Sequence, residues 1–357
     1  MAGLEKRAPT GDELSERERQ VLEAVIRTYV DTAEPTGSRT VSRRFDFGVS
    51  PATVRNTMSD LEEKGYLVHP HTSAGRVPTD RAYRFFVDRL MEPSRLSAAQ
   101  QKQLVHELDA AGSSAVERLV RQAVRALSLI SNELGVALAP RLDEAILERI
   151  ELIQVSSDKV LLVATIRGGV VRTVYVDLPV EVPPPTLVTL TVALNERLSG
   201  LSLPEIRRTL PERLRDAHAG DTGASEFLNI FVQSGVELFS LQGLDASRIH
   251  LGSASVLAAQ PEFESSPRLK GLIELTERQD ILAQAVGSRT HGGHLQITIG
   301  GENDSAALAD FTLITAEYRA GGLKGVIGVI GPTRMPYEKV VAIVDYTSSM
   351  VTRILAS

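Results

Sequence analysis

From Val21 onward, apolar residues recur at three- and four-residue spacing: Val21, Leu22, Val25, Ile26, Tyr29 and Val30 share one helical face. Ser15, with Glu18 three residues on, forms a capping box ahead of them, so the spacing predicts an amphipathic helix that starts there. Pro35 and Gly37 end it, and Ser38 is placed to cap a short second helix that turns Val41 and Phe45 inward. After a turn at Asp46 to Val49, Ser50 offers an N-cap with Pro51 in the first helical position. A third helix is expected from Pro51 to Lys64, stopped by Gly65. Tyr66 to Val68 and Arg76-Val77 read as two short strands around a turn, and Thr79 caps a further helix reaching Met91. Three helices followed by a hairpin is the order of a winged helix-turn-helix.

Pro93 to Ser97 reads as a boundary, and helical patterning follows from Ala98 to Leu134 with a break near Gly112. Ile150 to Val155, Val160 to Ile166 and Val170 to Val176 are apolar or alternating β-branched runs, expected as three neighbouring strands. Pro179 to Pro185 stops them, and a helix-leaning, loop-rich stretch contains Pro204, Pro211 and Gly220 to Gly223. Strand patterns return at Leu295 to Ile299, Phe311 to Tyr318 and Gly325 to Ile330, before helical spacing from Tyr337 to Leu355. The class is α+β, and a β-rich domain split by an insertion accounts for the order.

Composition narrows the function. At 357 residues the chain calls for two or three domains, and 43% apolar with 24% charged residues is ordinary for a globular protein. No apolar run approaches the roughly 20 residues that span a bilayer, which predicts no membrane association. Met1 to Asp12 lacks the apolar core of a secretory signal and reads as a disordered leader, giving a cytoplasmic expectation. The absence of cysteine removes disulfides, thiolate catalysis and Cys-ligated metals. No cofactor is expected, and no nucleophile–base pair or paired carboxylates name a reaction. The net charge is −6, yet Arg39, Arg43, Arg44 and Arg55 face only Asp46 between positions 39 and 58, so positive charge is concentrated on the head.

On a helical wheel Val54, Met58 and Leu61 take one side of the third helix, with Asn56 and Ser59 opposite and Thr53 and Arg55 flanking. Ser50, Thr53, Arg55, Asn56 and Ser59 are therefore the candidate base-reading residues: small side chains allow close approach, Asn pairs with adenine, and Arg pairs with guanine. His69, His71, Thr72, Ser73 and Arg76 are candidate wing contacts to phosphate or the minor groove, with Gly75 freeing the tip backbone. Ser38, Arg39, Arg43 and Arg44 are candidate phosphate contacts. One head covers few base edges, so a homodimer on an inverted repeat of double-stranded DNA is expected. His69 with His71, and His291 with His294, fall short of a metal site. Gly325, Gly328 and Gly331 read as a closely packed strand, not a phosphate loop. Arg334 is left open between a ligand and a carboxylate partner.

Leu61-Glu62-Glu63-Lys64-Gly65-Tyr66-Leu67, then Pro70 to Thr79, then Tyr83-Arg84-Phe85-Phe86-Val87-Asp88, closely resemble the heat-inducible transcription repressor HrcA family. Ser50 to Asn56 is similar to its recognition helix, and Ile327 to Met335 continues the likeness near the other end. Departures are mild: Ala33 to Thr36 and Arg81-Ala82 stand where a glycine is expected in each. The resemblance implies a winged helix, a GAF-like domain and a dimerisation domain inserted into it. The corresponding boundaries are a leader over 1–12, a DNA-binding domain over 13–94, GAF-like parts over 95–186 and 281–357, and an insert over 187–280. It also implies a repressor of class I heat-shock operons that binds the CIRCE inverted repeat, with the GroEL chaperonin keeping it active. The alternative is a winged-helix regulator governed by a small molecule in the GAF-like domain.

Overall fold

A computed structural model describes residues 14–70, 75–92, 94–109, 116–140, 145–167, 170–178, 182–215, 222–238, 249–291, 294–320 and 323–356. Local signals set the first elements. Helix α1 (Glu16–Thr32) begins at the expected capping box: Ser15 Oγ accepts from the Glu18 amide, and the Glu18 carboxylate accepts from the Ser15 amide at 2.7 Å. Helix α2 (Ser38–Arg44) differs in its start. Gly37, not Ser38, is the N-cap, and no side chain caps it. Helix α3 (Pro51–Glu63) has Ser50 as N-cap and ends in a Schellman turn, with Gly65 at φ +77° and the Tyr66 amide donating to Leu61 O at 2.9 Å.

Helix α1 closes on Ala33, held at φ 56°. An L-residue pays for this left-handed backbone where glycine would not. Ala33→Gly is expected to stabilise the protein by about 0.5–1 kcal/mol in urea unfolding, the strain relief less the added freedom of the unfolded chain. An unchanged or lowered midpoint would contradict it.

Strands β1 (Leu67–Val68) and β2 (Val77–Pro78) form an antiparallel hairpin, and Thr36 adds a bridge to Arg76 with amide–carbonyl bonds of 2.9 and 3.0 Å. Gly75 is required by this approach and not by loop freedom alone: a Cβ there would lie 2.5 Å from the Thr36 carbonyl carbon. Thr79 caps α4 (Asp80–Phe85), which runs on through one wide turn over Phe86–Leu90.

Helices α5 (Ala98–Asp109) and α6 (Val116–Ser131) lead into strand β3 (Leu134–Leu138), where the sequence pattern had no strand. All five β3 residues are buried, so no alternation marks it. Strands β4 (Leu147–Ser156), β5 (Lys159–Ile166) and β6 (Val170–Asp177) pair with one another as expected. They form their own sheet, however, separate from the one built by the later strands. Its inner face packs on α7 (Pro184–Leu198), α8 (Leu203–Leu214) and α9 (Thr222–Leu238) around Ile150, Leu162, Leu194, Ile206 and Phe227. Asn195 on α7 both accepts from the Ile150 amide and donates to its carbonyl, each at 2.8 Å, closing the outer edge of β4.

The second sheet takes β7 (Ile249–Leu251), β8 (Leu295–Ile299), β9 (Phe311–Ala320) and β10 (Leu323–Pro332) together with β3, in the order β7-β3-β10-β9-β8, all antiparallel. Helices α10 (Ser255–Ala258), α11 (Ser266–Glu277) and α12 (Gln279–Gly287) lie with the cluster of Leu134, Val136, Leu313 and Ile330 on one face. On the other face α6 and α13 (Tyr337–Ala356) share a core with the amino-terminal helices. Gly328 permits the β10–β9 approach, since a Cβ would meet Ile314 O at 2.1 Å. Among the described residues, no helix is long and apolar enough to cross a membrane.

Candidate DNA interface

Val54, Met58 and Leu61 are fully buried against α1 and α2, which turns the opposite side of α3 outward. Ser50, Arg55 and Asn56 are exposed and Thr53 is half-buried. Arg55 and Asn56 are thus free to meet a partner, whereas Ser50 is partly used at home: its Oγ accepts from the Thr53 amide at 3.2 Å. That bond fixes the first turn of the helix.

The hairpin is tied to α3 by a residue that sequence reasoning missed. Glu62 accepts from Arg76 Nε at 3.0 Å, Arg76 Nη2 donates to Ser59 Oγ at 2.8 Å, and His69 Nε2 stands 3.6 Å from Glu62. With its side chain only 13% exposed, Arg76 holds the hairpin against α3. Ser59 is engaged by the same bond, so both residues position the surface more than they extend it. The one available signal was the offset from Ser59 to Glu62, which puts the two on neighbouring turns of one helix. His71, Thr72 and Ser73 lie outside the described residues.

Helix α2 carries Arg39 and Arg43, both exposed, while Arg44 pairs with Asp31 and lies 5.8 Å from the Phe45 ring. Ser38 is half-buried and its carbonyl accepts from Ser42 Oγ. All three α2 cations are exposed, but Arg44 is held by Asp31, which leaves Arg39 and Arg43 as the ones without an ion pair among the described residues. Lys64 Nζ donates to Glu18 Oε1 at 2.7 Å, pinning the end of α3 to the start of α1. Burial acts against the Glu18 charge, but the Lys64 and Ser15 bonds outweigh it and keep the carboxyl below its usual range.

The head docks on the body through α4 and α13. Tyr83 packs on Tyr337 with ring centroids 5.7 Å apart, Arg84 grips Glu302, Arg27 grips Glu338, and the Asp80 carboxylate accepts from the Gly301 amide at 3.0 Å. The Glu338 and Glu23 bonds hold the Arg27 guanidinium above its usual range despite partial burial. Arg334, left open by sequence, pairs with Glu262 and donates to Val30 O. His294 pairs with Asp345 at 2.9 Å.

A three-helix head with an outward polar helix and a basic neighbour, seated on a mixed α/β body, is the build of a regulator that acts on DNA. The model of the HrcA protein C-terminal domain matches residues 117–341. Heat-inducible transcription repressors HrcA from Chlorobium phaeovibrioides and Geobacter sulfurreducens are each 36% identical, and the one from Halalkalibacterium halodurans 34%. Each alignment covers 96% of this chain and 98% of the relative. A crystal structure of a hypothetical protein shares the fold at a TM-score of 0.64 and 21% identity, covering 96% of this chain and 99% of that one. The chain belongs to the HrcA family of heat-inducible transcription repressors. It is a negative regulator of heat-shock genes and not an enzyme.

Proposed function

We propose that this repressor reads the CIRCE inverted repeat as a cytoplasmic homodimer. In this reading α1 to α3 with the β1–β2 hairpin form a winged helix-turn-helix, α3 enters the major groove, and the hairpin is the wing. The observation that carries it is the free pair Arg55 and Asn56 on the outward face of a helix whose other side is locked into the core. Ser50 and Thr53 line the same face, Arg39 and Arg43 supply phosphate contacts, and His69 with the tip residues His71, Thr72 and Ser73 reach the adjacent backbone.

The five-stranded sheet is the GAF-like domain of this reading, split by an insert that begins with the three-stranded sheet and not after it. The insert's outward sheet face bears Val155, 53% exposed, Val171, 58%, and a cross-strand row of Ile153, Leu161 and Tyr175. A second copy of the chain covers this face in the dimer, since so much exposed apolar surface in one patch costs free energy that association recovers. Tyr175→Asp, at a residue 63% exposed, is expected to yield monomers in sedimentation, with an unfolding midpoint that no longer rises with protein concentration and weakened binding to the inverted repeat. Dimers of full stability would reject this face.

Family membership supports chaperone operons as the targets and GroEL as the factor that keeps the repressor active. Genomic footprinting before and after heat stress tests the whole reading. Occupancy at chaperone promoters that is lost on heating supports it, and scattered, heat-insensitive occupancy rejects it.

A further inference from the structure

Arg334 follows β10 at the end of the GAF-like sheet and reaches two other parts of the molecule. Its guanidinium pairs with both carboxylate oxygens of Glu262, the Nη2–Oε2 distance being 2.9 Å, and Nη1 donates to Val30 O at 2.6 Å. The two side chains are 14% and 13% exposed, so this is a bidentate pair largely withdrawn from water and unlike a surface ion pair. Val30 lies in the last turn of α1, where helix carbonyls lack amide partners and the dipole favours a cation. Helix α1 has no basic residue in its own last turn, and Arg334 of the body supplies one. Glu262 sits in the short turn Pro261–Phe263, whose Phe263 is buried under the far face of the sheet and stacks on Phe311 at 6.0 Å.

Among the described residues, the other polar ties of the head run to α13 and to the end of β8, and this one alone also grips the helical layer beneath the sheet. At its other end α1 holds the terminus of α3 through Glu18 and Lys64. Helix α1 is therefore a lever with the reading helix at one end and Arg334 at the other. A cleft of about 480 Å³, lined by Glu262 together with Asp80 of the head, opens beside the pair.

We propose that Arg334 is a positioning residue for operator binding: through Val30 and Glu262 it sets the angle of the head on the body, and so the separation of the two reading helices in the dimer. It acts without touching DNA. The inference rests on the reading of α3 as the DNA-reading helix of a dimer.

The test uses full-length protein and three kinds of duplex at fixed salt in mobility shifts: the CIRCE repeat, the same half-sites with one or two base pairs added or removed between them, and a single half-site. Arg334→Ala is expected to weaken binding to the natural spacing by about tenfold, the scale of a coupling between distant sites. It should leave the single half-site unchanged and flatten the preference for natural spacing. Because Arg334→Ala also strands the Glu262 charge, the double variant Arg334→Ala with Glu262→Gln separates stability from positioning. Recovery of the unfolding midpoint with the spacing preference still flat supports the proposal. A double variant with the sharp spacing preference of the unaltered protein overturns it, as does equal weakening of Arg334→Ala on all three duplexes. Should the unaltered protein itself bind CIRCE no better than random duplex, the reading of α3 falls first and the proposal with it.

Discussion

Arg55→Ala and Asn56→Ala are each expected to weaken binding of the dimer to the specific inverted repeat by about 30-fold or more, one lost contact in each of two heads, while leaving affinity for random duplex nearly unchanged. The magnitude is that of one bidentate side chain–base pair, about 1–3 kcal/mol per head. The two residues are exposed on α3, and among the described residues neither side chain is tied to the rest of the head, so their removal should not disturb the fold. The comparison residue is Arg76, which Glu62 and Ser59 hold at 3.0 and 2.8 Å. Loss of Arg76 frees the hairpin and should lower the affinity for both DNAs. Mobility shifts at one salt concentration decide between these roles. Equal losses on both DNAs for Arg55→Ala and Asn56→Ala would end their assignment as base readers.

The second large effect concerns stability. Glu133, between α6 and β3, is 3% exposed and accepts from Gln260 Nε2 at 3.2 Å. Its carboxylate packs where Gly331 leaves room, since a Cβ on that glycine would lie 2.1 Å from Oε2. Burial pushes the carboxyl up to about 8, against a weaker pull from Gln260 and Arg334. The folded protein thus keeps a proton that the unfolded chain, with a carboxyl near 4.5, has released. Stability then falls as pH rises from about 4.5 to about 8, by up to about 1.4 kcal/mol per unit, and levels off above. Glu133→Gln removes this dependence and can still accept from Gln260. It is expected to be near neutral at pH 5 and stabilising by about 3 kcal/mol at pH 8 in urea unfolding. The same difference at both pH values would refute the buried-acid account.

Much of the head was legible because its signals are local. The Ser15–Glu18 capping box, Pro51 after Ser50, Gly65 beyond α3 and Thr79 before α4 each act within one helical turn, and all four stand where the pattern placed them. Ser38 was misread because an N-cap residue and the first helical residue look alike in sequence, and only backbone geometry separates them. The body was less legible. Leu134–Leu138 is buried on both faces, so it lacks the alternation that marks a half-exposed strand. The strands over 147–177 were recognised as strands, yet nothing in their spacing says which sheet they join, because partner choice is made across long stretches of chain.

The same division runs through the candidate site. By itself the sequence determined the outward row of α3, since helical periodicity alone assigns Val54, Met58 and Leu61 to one side and Asn56 to the other. Only the tertiary structure decided that Arg76 is spent on Glu62, that Arg334 joins Glu262 to the end of α1, and that Glu133 is buried. The physical reason is range. Caps and helix faces depend on neighbours three or four residues away, whereas an ion pair or the burial of a carboxyl depends on residues that only the folded chain brings together.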